Sequence, residues 1–549
     1  MAFVALLRIP ATARPALLAL LVLVILLFRA PATGLGGGAG PNFVQGTLNA
    51  TIASPTSLAF GPDGRLYVAS LEDGIRALTL DPITQQVLST EQVASDLALV
   101  LGIAFDPTAP ASPVVVYASH QQFSATNGFE GVVSKFTAPN WDRVDVITGL
   151  PTSGPCSNHY TNGLAFDDTG RLFIAQGSST DSGIRQSCGI PSGLNWPETP
   201  LSSAILYTPL PIDDQAFDGT ITYNPSGPPA DDNVAQTGGD VNVYAAGLRN
   251  PYDLVIHSNG KIYATDNGPV GPDVSTSCSE SGSGVSFSDE LNLIEQGNYY
   301  GHPNRNRGLG LPDARQCVYH PGEEASGGGY TEPIAVLPEH CSCDGIAEYT
   351  NAAFGGAMQG DLVIARFNMG TIMRVVLSPD GSSVLSTSVL ESEPDSPFEF
   401  NAPLDVAVGP DGAIYVAELG DDAIGYLAPD TDRDGCADSR ELGSSAVLGG
   451  RRDANYFWDF FDTPTGSPPA RDRVVTIADI GAVVARFGTT GSPAIDPLSA
   501  PPASGYHTAF DRSPPQPGAD PWDLGPPDGS VTIGDIGLVV AQFGHSCLG

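Results

Sequence analysis

The densest run of side chains with chemistry to offer is Asp430-Thr431-Asp432-Arg433-Asp434-Gly435-Cys436-Ala437-Asp438-Ser439-Arg440-Glu441. Carboxylates at positions 1, 3, 5, 9 and 12 of a 12-residue loop can wrap a hard cation in oxygen, with a backbone carbonyl serving at 7 and glycine allowing the sharp turn at 6. The expected Ca2+ ligands are therefore Asp430, Asp432, Asp434, Cys436 through its carbonyl, Asp438 and Glu441. An eroded, duplicated version follows. Residues 472–488 (DRVVTIADIGAVVARFG) and 528–544 (DGSVTIGDIGLVVAQFG) share 12 of 17 residues. Each reads as the end of a calcium loop running into a helix, with Asp472 and Asp479, or Asp528 and Asp535, at positions 5 and 12. Leu524 and Pro526 fall on positions 1 and 3 of the second copy, and Arg473 replaces the glycine of the first. Either calcium binds weakly here or the copies simply pack as a helix pair. Ile480, Val483, Val484 and Phe487 fall on one side of the expected helix.

Upstream, single residues stand out. His159 lies in Asn158-His159-Tyr160-Thr161-Asn162-Gly163; Arg249 and Asn250 lie in Gly247-Leu248-Arg249-Asn250-Pro251; Asn267, Gly268 and Pro269 close Thr265-Asp266-Asn267-Gly268-Pro269. Histidine titrates near neutrality and suits proton transfer. Guanidinium suits anionic oxygens, and Gly-Pro carbonyls can serve a hard cation.

The elements that must position these residues come from a repeated phrase: apolar strand, Gly/Asp turn, apolar strand. Clear copies are SLAFGPDGRLYVAS (57–70), GLAFDDTGRLFIAQG (163–177), DLVIHSNGKIYATDNG (253–268) and DVAVGPDGAIYVAELG (405–420), with weaker ones at 102–119 and 356–376. Asp-Gly, Thr-Gly and Asn-Gly between β-branched and aromatic runs are strong hairpin signals. Six hairpins within residues 42–428 leave room for a four-stranded sheet each, the size of a propeller blade. Uneven spacing argues against a β-helix, and six copies of one phrase argue against a sandwich. The expected fold is mainly β: a six-bladed β-propeller over 42–428, then a small, mostly helical calcium-binding region, with a calcium loop at 429–445 and the duplicated repeats at 446–549. Pro/Gly/Ser stretches at 463–469 and 492–518 read as linkers.

Composition sets the remaining bounds. Sixty-one acidic residues against 24 basic ones give a net charge of −37, which opposes nucleic-acid binding. Arg8 and Arg14 precede a 13-residue apolar run at 16–28, followed by Ala30-Pro31-Ala32. The run is too short for a ~20-residue membrane span, so 1–32 reads as a cleaved signal peptide and 33–41 as a flexible leader, with an uncleaved anchor as the alternative. Secretion agrees with eight cysteines. Expected pairs are Cys156–Cys188, Cys278–Cys317 and Cys436–Cys547, while Cys341 and Cys343 are either structurally paired or free.

The block 247–303, with Asp289-Glu290-Leu291-Asn292-Leu293-Ile294 and Gly297-Asn298-Tyr299-Tyr300-Gly301-His302-Pro303, resembles the signature of the soluble glucose/sorbosone dehydrogenase family. That resemblance implies a six-bladed propeller carrying pyrroloquinoline quinone (PQQ) and Ca2+. It also implies His159 as general base, Arg249 as electrostatic stabiliser, and Asn250, Asn267 and Arg366 at the cofactor. Gly268 and Pro269 stand at its calcium position and Glu290 at a structural-calcium position. It further implies a lysine in a late blade, where this chain has none after Lys261. The duplicated C-terminal copies resemble type I dockerin repeats, which implies a cohesin-like or cell-surface partner. The expected activity is oxidation of an aldose or related sugar, with electrons leaving to a quinone or cytochrome. The alternative is a non-catalytic propeller that binds glycans or proteins.

Overall fold

The computed structural model describes residues 41–124, 128–151, 159–179, 186–187, 195–196, 200–224, 235–268, 288–302, 331–393 and 396–548. The expected signal peptide, Pro269 and the pairs Cys156–Cys188 and Cys278–Cys317 lie outside the described residues. Two compact units are present: Pro41–Arg451 together with the last residues from Cys547, and, among the described residues, Arg452–Ser546.

The first unit is a six-bladed β-propeller of six four-stranded antiparallel sheets. Blade one comprises Pro55–Phe60, Leu66–Ser70, Ile75–Leu80 and Val87–Ala94; blade two begins with Ala98–Ala104. Blade three has Thr161–Phe166, Leu172–Gln176, Ala204–Tyr207 and Asn242–Ala246; blade four has Pro251–Ile256, Ile262–Asp266, Ser288–Ile294 and Ala335–Glu339. Blade five has Cys343–Glu348, Leu362–Arg366, Thr371–Leu377 and Val384–Val389. Blade six takes Pro403–Val408, Ile414–Glu418 and Ala423–Pro429, and its outermost strand is Phe43–Thr47 from the start of the chain, with Phe43 opposite Pro429. The first strands touch one another in circular order, so the ring is closed and no long strand edge is left open.

The clear sequence phrases are first-and-second-strand hairpins, turned by positive-φ glycines such as Gly64, Gly170, Gly260 and Gly412. The copy at 356–376 is different: it is the second and third strands of blade five, whose first strand, Cys343–Glu348, lacks the phrase because residues 349–361 separate it from its partner. Apolar residues alternate into layers between blades, for example Leu66, Val68 and Leu78 with Tyr415 and Ala417. Buried aspartates on inner strands fasten neighbouring blades. Asp405 accepts the Leu58 N–H at 2.7 Å and Asp253 accepts that of Ile346 at 3.2 Å. Burial raises both carboxyls, Asp253 to about 7, and the charge of Asp253 adds to the rise at Asp405. Tyr252 reaches from blade four to blade one, its hydroxyl donating to the Thr56 carbonyl at 3.4 Å.

The second unit holds two nine-residue helices, Ile477–Ala485 and Ile533–Ala541, amid turns. Each opens with a capping box, Thr476 with Asp479 and Thr532 with Asp535. The copies exchange backbone bonds: Val475 N–H donates to His545 O at 2.9 Å, and Val531 N–H to Thr489 O at 3.0 Å. Residues 506–512, expected as linker, are instead buried core: Phe510 lies under the guanidinium of Arg486 at 4.8 Å, and Arg512 lies against Phe461 at 4.5 Å. Of the expected helix face only Val483 is fully buried; Val484 and Phe487 are exposed.

Candidate functional site

In an antiparallel blade, the residues before the first strand and after the second emerge on the same face. That rule puts the loops carrying His159, Arg249-Asn250, Asn267-Gly268, His340-Ser342 and Asn368 at one mouth of the propeller. There His159, Arg249, Asn250, Asn267, Gly268, Asp289, His340, Ser342 and Asn368 line one cavity of about 320 Å³, at the small end of the ~300–1,000 Å³ usual for small-molecule sites.

Each residue is held from below. Asp266, at the end of a strand, accepts the backbone N–H of Arg249 (3.0 Å) and of Asn250 (2.7 Å). The Arg249 side chain donates to Asn267 O at 3.2 Å. Gly247, at φ +90, lets the turn pack on Tyr299, whose ring would lie 2.5 Å from any Cβ there. Residues 300 and 302 then donate to Ala246 O and Gly247 O. The two halves of the 247–303 block are thus one cradle. His159 is buried, its Nδ1 2.9 Å from Ser178 Oγ. Ser178 N–H donates to Arg249 O at 2.7 Å, which ties the histidine's support to the arginine's turn. Gly177 leaves room for this, since a Cβ there would meet His159 Cβ at 2.7 Å and Asn250 Oδ1 at 3.1 Å.

The floor is acidic. Asp289 accepts the N–H of Gly268 (2.9 Å) and of Cys343 (3.0 Å). Asn267 donates through Nδ2 to Asp344 (2.7 Å), which also accepts from Ser342 Oγ (2.9 Å). Burial pushes Asp289 up, and Asp266 and Asp344 up to about 7. Cys341 and Cys343 form a disulfide, so they bring no thiolate to the site. Asn368 Nδ2 donates to His340 O at 2.9 Å, fixing the loop that carries them.

Other expected residues sit elsewhere. Arg366 does not line the cavity; its guanidinium is turned onto Met369. Glu290 lies beside Asp266 in the sheet and is raised to about 8 by burial and then by that neighbour's charge. Asp289, His340, Ser342 and Asn368 were missed as site residues. No motif marks the last three, and Asp289 stands in the 247–303 block that carries the family resemblance without a role assigned to it.

At 430–441, ligand oxygens of Asp430, Asp432 and Asp434 lie within 4.8 Å of one another, and Gly435 has φ +97. Asp430 accepts from Arg433 N–H (2.8 Å) and Gly435 N–H (3.1 Å), while Asp438 accepts from Thr431 N–H (2.7 Å). Glu441 is fully buried. A strand, Ala423–Pro429, enters the loop and the single turn Asp438–Glu441 leaves it, where an EF-hand would have two helices. The expected disulfide Cys436–Cys547 is formed.

A propeller with a polar cavity at one mouth is the class that fold and site define. Within it, residues 210–427 match the family described as Glucose / Sorbosone dehydrogenase, a stretch that contains Arg249 through Arg366 but not His159. The chain is 24% identical over 279 residues to Quinoprotein glucose dehydrogenase B of Acinetobacter calcoaceticus, covering 48% of this chain and 53% of that protein. It thus spans about half the length of that relative. Similar solved structures include the soluble aldose sugar dehydrogenase of Escherichia coli in its apo-form (17% identity, 71% of this chain, 100% of that chain, TM-score 0.49). Another is the PQQ-bound aldose sugar dehydrogenase of Streptomyces coelicolor (20%, 71%, 99%, TM-score 0.45).

Proposed function

We propose that the propeller cavity oxidises a hydroxyl of an aldose or related sugar with PQQ and Ca2+, in an exported protein that passes electrons to a quinone or cytochrome. The observation that carries this reading is the convergence of His159 with Arg249, Asn250, Asn267 and Gly268 on one cavity, in a chain that matches a dehydrogenase family and a quinoprotein relative. The lining fits an oxygen-rich anionic ligand. It offers the guanidinium of Arg249 and side-chain amides as donors, while Asn267 Oδ1, buried with no hydrogen-bond partner, is an acceptor that the accompanying cation would satisfy. Arg249, Asn250 and Asn267 would hold the quinone, and Gly268 with its neighbouring carbonyls would face the cation. The quinone supplies a two-electron acceptor, and calcium polarises its oxygens.

The chain's own residues supply the proton path. Acting as base requires Ser178 Oγ, 2.9 Å away, to accept from His159 Nδ1–H, which would leave the lone pair on Nε2 to remove a sugar O–H proton. Arg249, its backbone clamped by Asp266, offsets negative charge as the alkoxide develops. Chelator-stripped protein titrated with PQQ plus Ca2+ tests this: the expected result is saturable quinone binding and aldose-dependent dye reduction that His159→Ala abolishes. A folded, calcium-loaded protein that binds no quinone would leave the propeller as a recognition surface for glycans or proteins.

The loop at 430–441 is read as a structural calcium site. The C-terminal unit is read as docking a cohesin-like or cell-surface partner. This is supported by matched exposed apolar residues on its helices, Ile477 and Ile533 (72% and 73% exposed) and Val484 and Val540, and just beyond them, Phe487 and Phe543. Calorimetry against a type I cohesin tests it, with Phe487→Ser and Phe543→Ser together expected to abolish the heat of binding.

A further inference from the structure

The duplicated helices are preceded by duplicated carboxylates that the repeat alignment does not contain. Asp462 and Asp511 are both buried, and they make the same bonds in the two copies. Asp462 Oδ2 accepts from Arg473 N–H at 2.6 Å, and Asp511 Oδ2 accepts from Gly529 N–H at 2.8 Å. The next residue of each, Thr463 or Arg512, donates its N–H to Asp479 or Asp535 at 2.9 or 2.7 Å. Each copy therefore places a carboxylate where a calcium loop has its first ligand, but further upstream than in a 12-residue loop. Leu524 and Pro526 do not stand at positions 1 and 3.

The copies then diverge. In the first, ligand oxygens of Asp462, Asp472 and Asp479 lie within 4.8 Å of one another, and Asp462 Oδ1 is buried with no hydrogen-bond partner. In the second, Tyr506 donates its hydroxyl to Asp511 Oδ2 at 2.7 Å, Ser530 N–H adds a bond at 3.0 Å, and Asp528 N–H reaches Oδ1 at 3.3 Å. Among the described residues, Asp511, Asp528 and Asp535 form no comparable cluster. An unpaired buried carboxylate oxygen is costly unless a cation meets it, whereas one met by a hydroxyl and amides is already satisfied.

We infer that the C-terminal unit binds one calcium-class divalent cation, not two, at Asp462, Asp472 and Asp479, and that Tyr506 and backbone donors take the cation's place in the second copy. Three carboxylates around one point are the oxygen set such an ion takes. The inference is independent of the dehydrogenase reading, because neither quinone nor sugar enters it.

The test is Ca2+ calorimetry on the chelator-stripped full-length protein, with hydrogen exchange followed over 463–480. Asp462→Ala is expected to lower the stoichiometry by one ion per chain and to remove the calcium-dependent protection of 463–480. Asp511→Ala is expected to leave the stoichiometry unchanged. If Asp462→Ala does not fold, Asp472→Ala, at an exposed position, gives the same reading. Unchanged stoichiometry in a folded Asp462→Ala or Asp472→Ala protein overturns the site. Loss of an ion in a folded Asp511→Ala protein overturns the single-ion assignment.

Discussion

The cavity of the propeller and the acidic loops of the C-terminal unit solve the same problem, placing polar groups around one point, in opposite ways. The cavity draws on three blades: His159 precedes the first strand of blade three, Arg249 that of blade four, and Ser342 that of blade five. Its geometry depends on the ring holding blades in register, so it belongs to the whole fold. The loop at Asp462–Asp479 gathers its groups from a short stretch beside one helix, and a first carboxylate further upstream than in a 12-residue loop still joins the set. Distributed sites are sensitive to packing beneath them; local ones are sensitive to single side chains.

Four expected outcomes test that contrast, starting with the largest. Replacing His159 with alanine should lower kcat for sugar-dependent dye reduction by roughly 10²–10⁴-fold while the thermal melt stays close to wild type. A variant as active as wild type would remove the histidine from the chemistry. Gly177→Ala adds a methyl that meets His159 from below, and steady-state kinetics should show a loss on the order of 10²-fold without any change to a lining side chain. Full activity would mean that the site tolerates displacement and is less dependent on its supports than the geometry implies.

The third concerns pH. Asp253 and Asp405 have folded-state values above their unfolded ones, so the native propeller holds protons that the unfolded chain gives up. The contribution of Asp253 is fully present below about pH 4 and declines as pH rises toward about 7, by at most about 1.4 kcal/mol per pH unit, and that of Asp405 declines in the same direction. Denaturant melts of Asp253→Asn between pH 5 and 8 should show a shallower decline than wild type; an unchanged slope would assign the pH dependence elsewhere. Finally, Arg473 sits at φ +63, where the second copy has Gly529 at φ +96. Arg473→Gly should stabilise the C-terminal unit by about 1 kcal/mol, measured by urea unfolding.

Much of the fold was legible because a hairpin is a local event: alternation and an Asp-Gly turn are written within some fifteen residues. The first strand of blade five was not, since its partner lies beyond residues 349–361 and no turn chemistry joins them. The strand Phe43–Thr47 carries no signal of its pairing, because its partner is at the far end of the propeller sequence. Of the cavity, His159, Arg249 and Asn267 stood in recognisable phrases, whereas His340 and Asn368 owe their place to the loop around the Cys341–Cys343 bridge. Asp462 and Asp511 escaped alignment because proline-rich insertions of unequal length follow them. The shared cues were the phenylalanine before each, Phe461 and Phe510, and a Ser-Pro-Pro after each, at 467–469 and 513–515.

Blade six is finished by the propeller strand that is synthesised first. Phe43–Thr47 has no sheet to join until Ala423–Pro429 has been made, on the order of 20–80 s later at ~5–20 residues per second. For that interval the nascent chain carries an orphan edge, and no shorter product can complete the ring. Nascent polypeptides stopped before Ala423 should therefore be protease-sensitive at both ends, and a circular permutant that joins Pro429 to Phe43–Thr47 through a short added turn should close its last blade as a local hairpin.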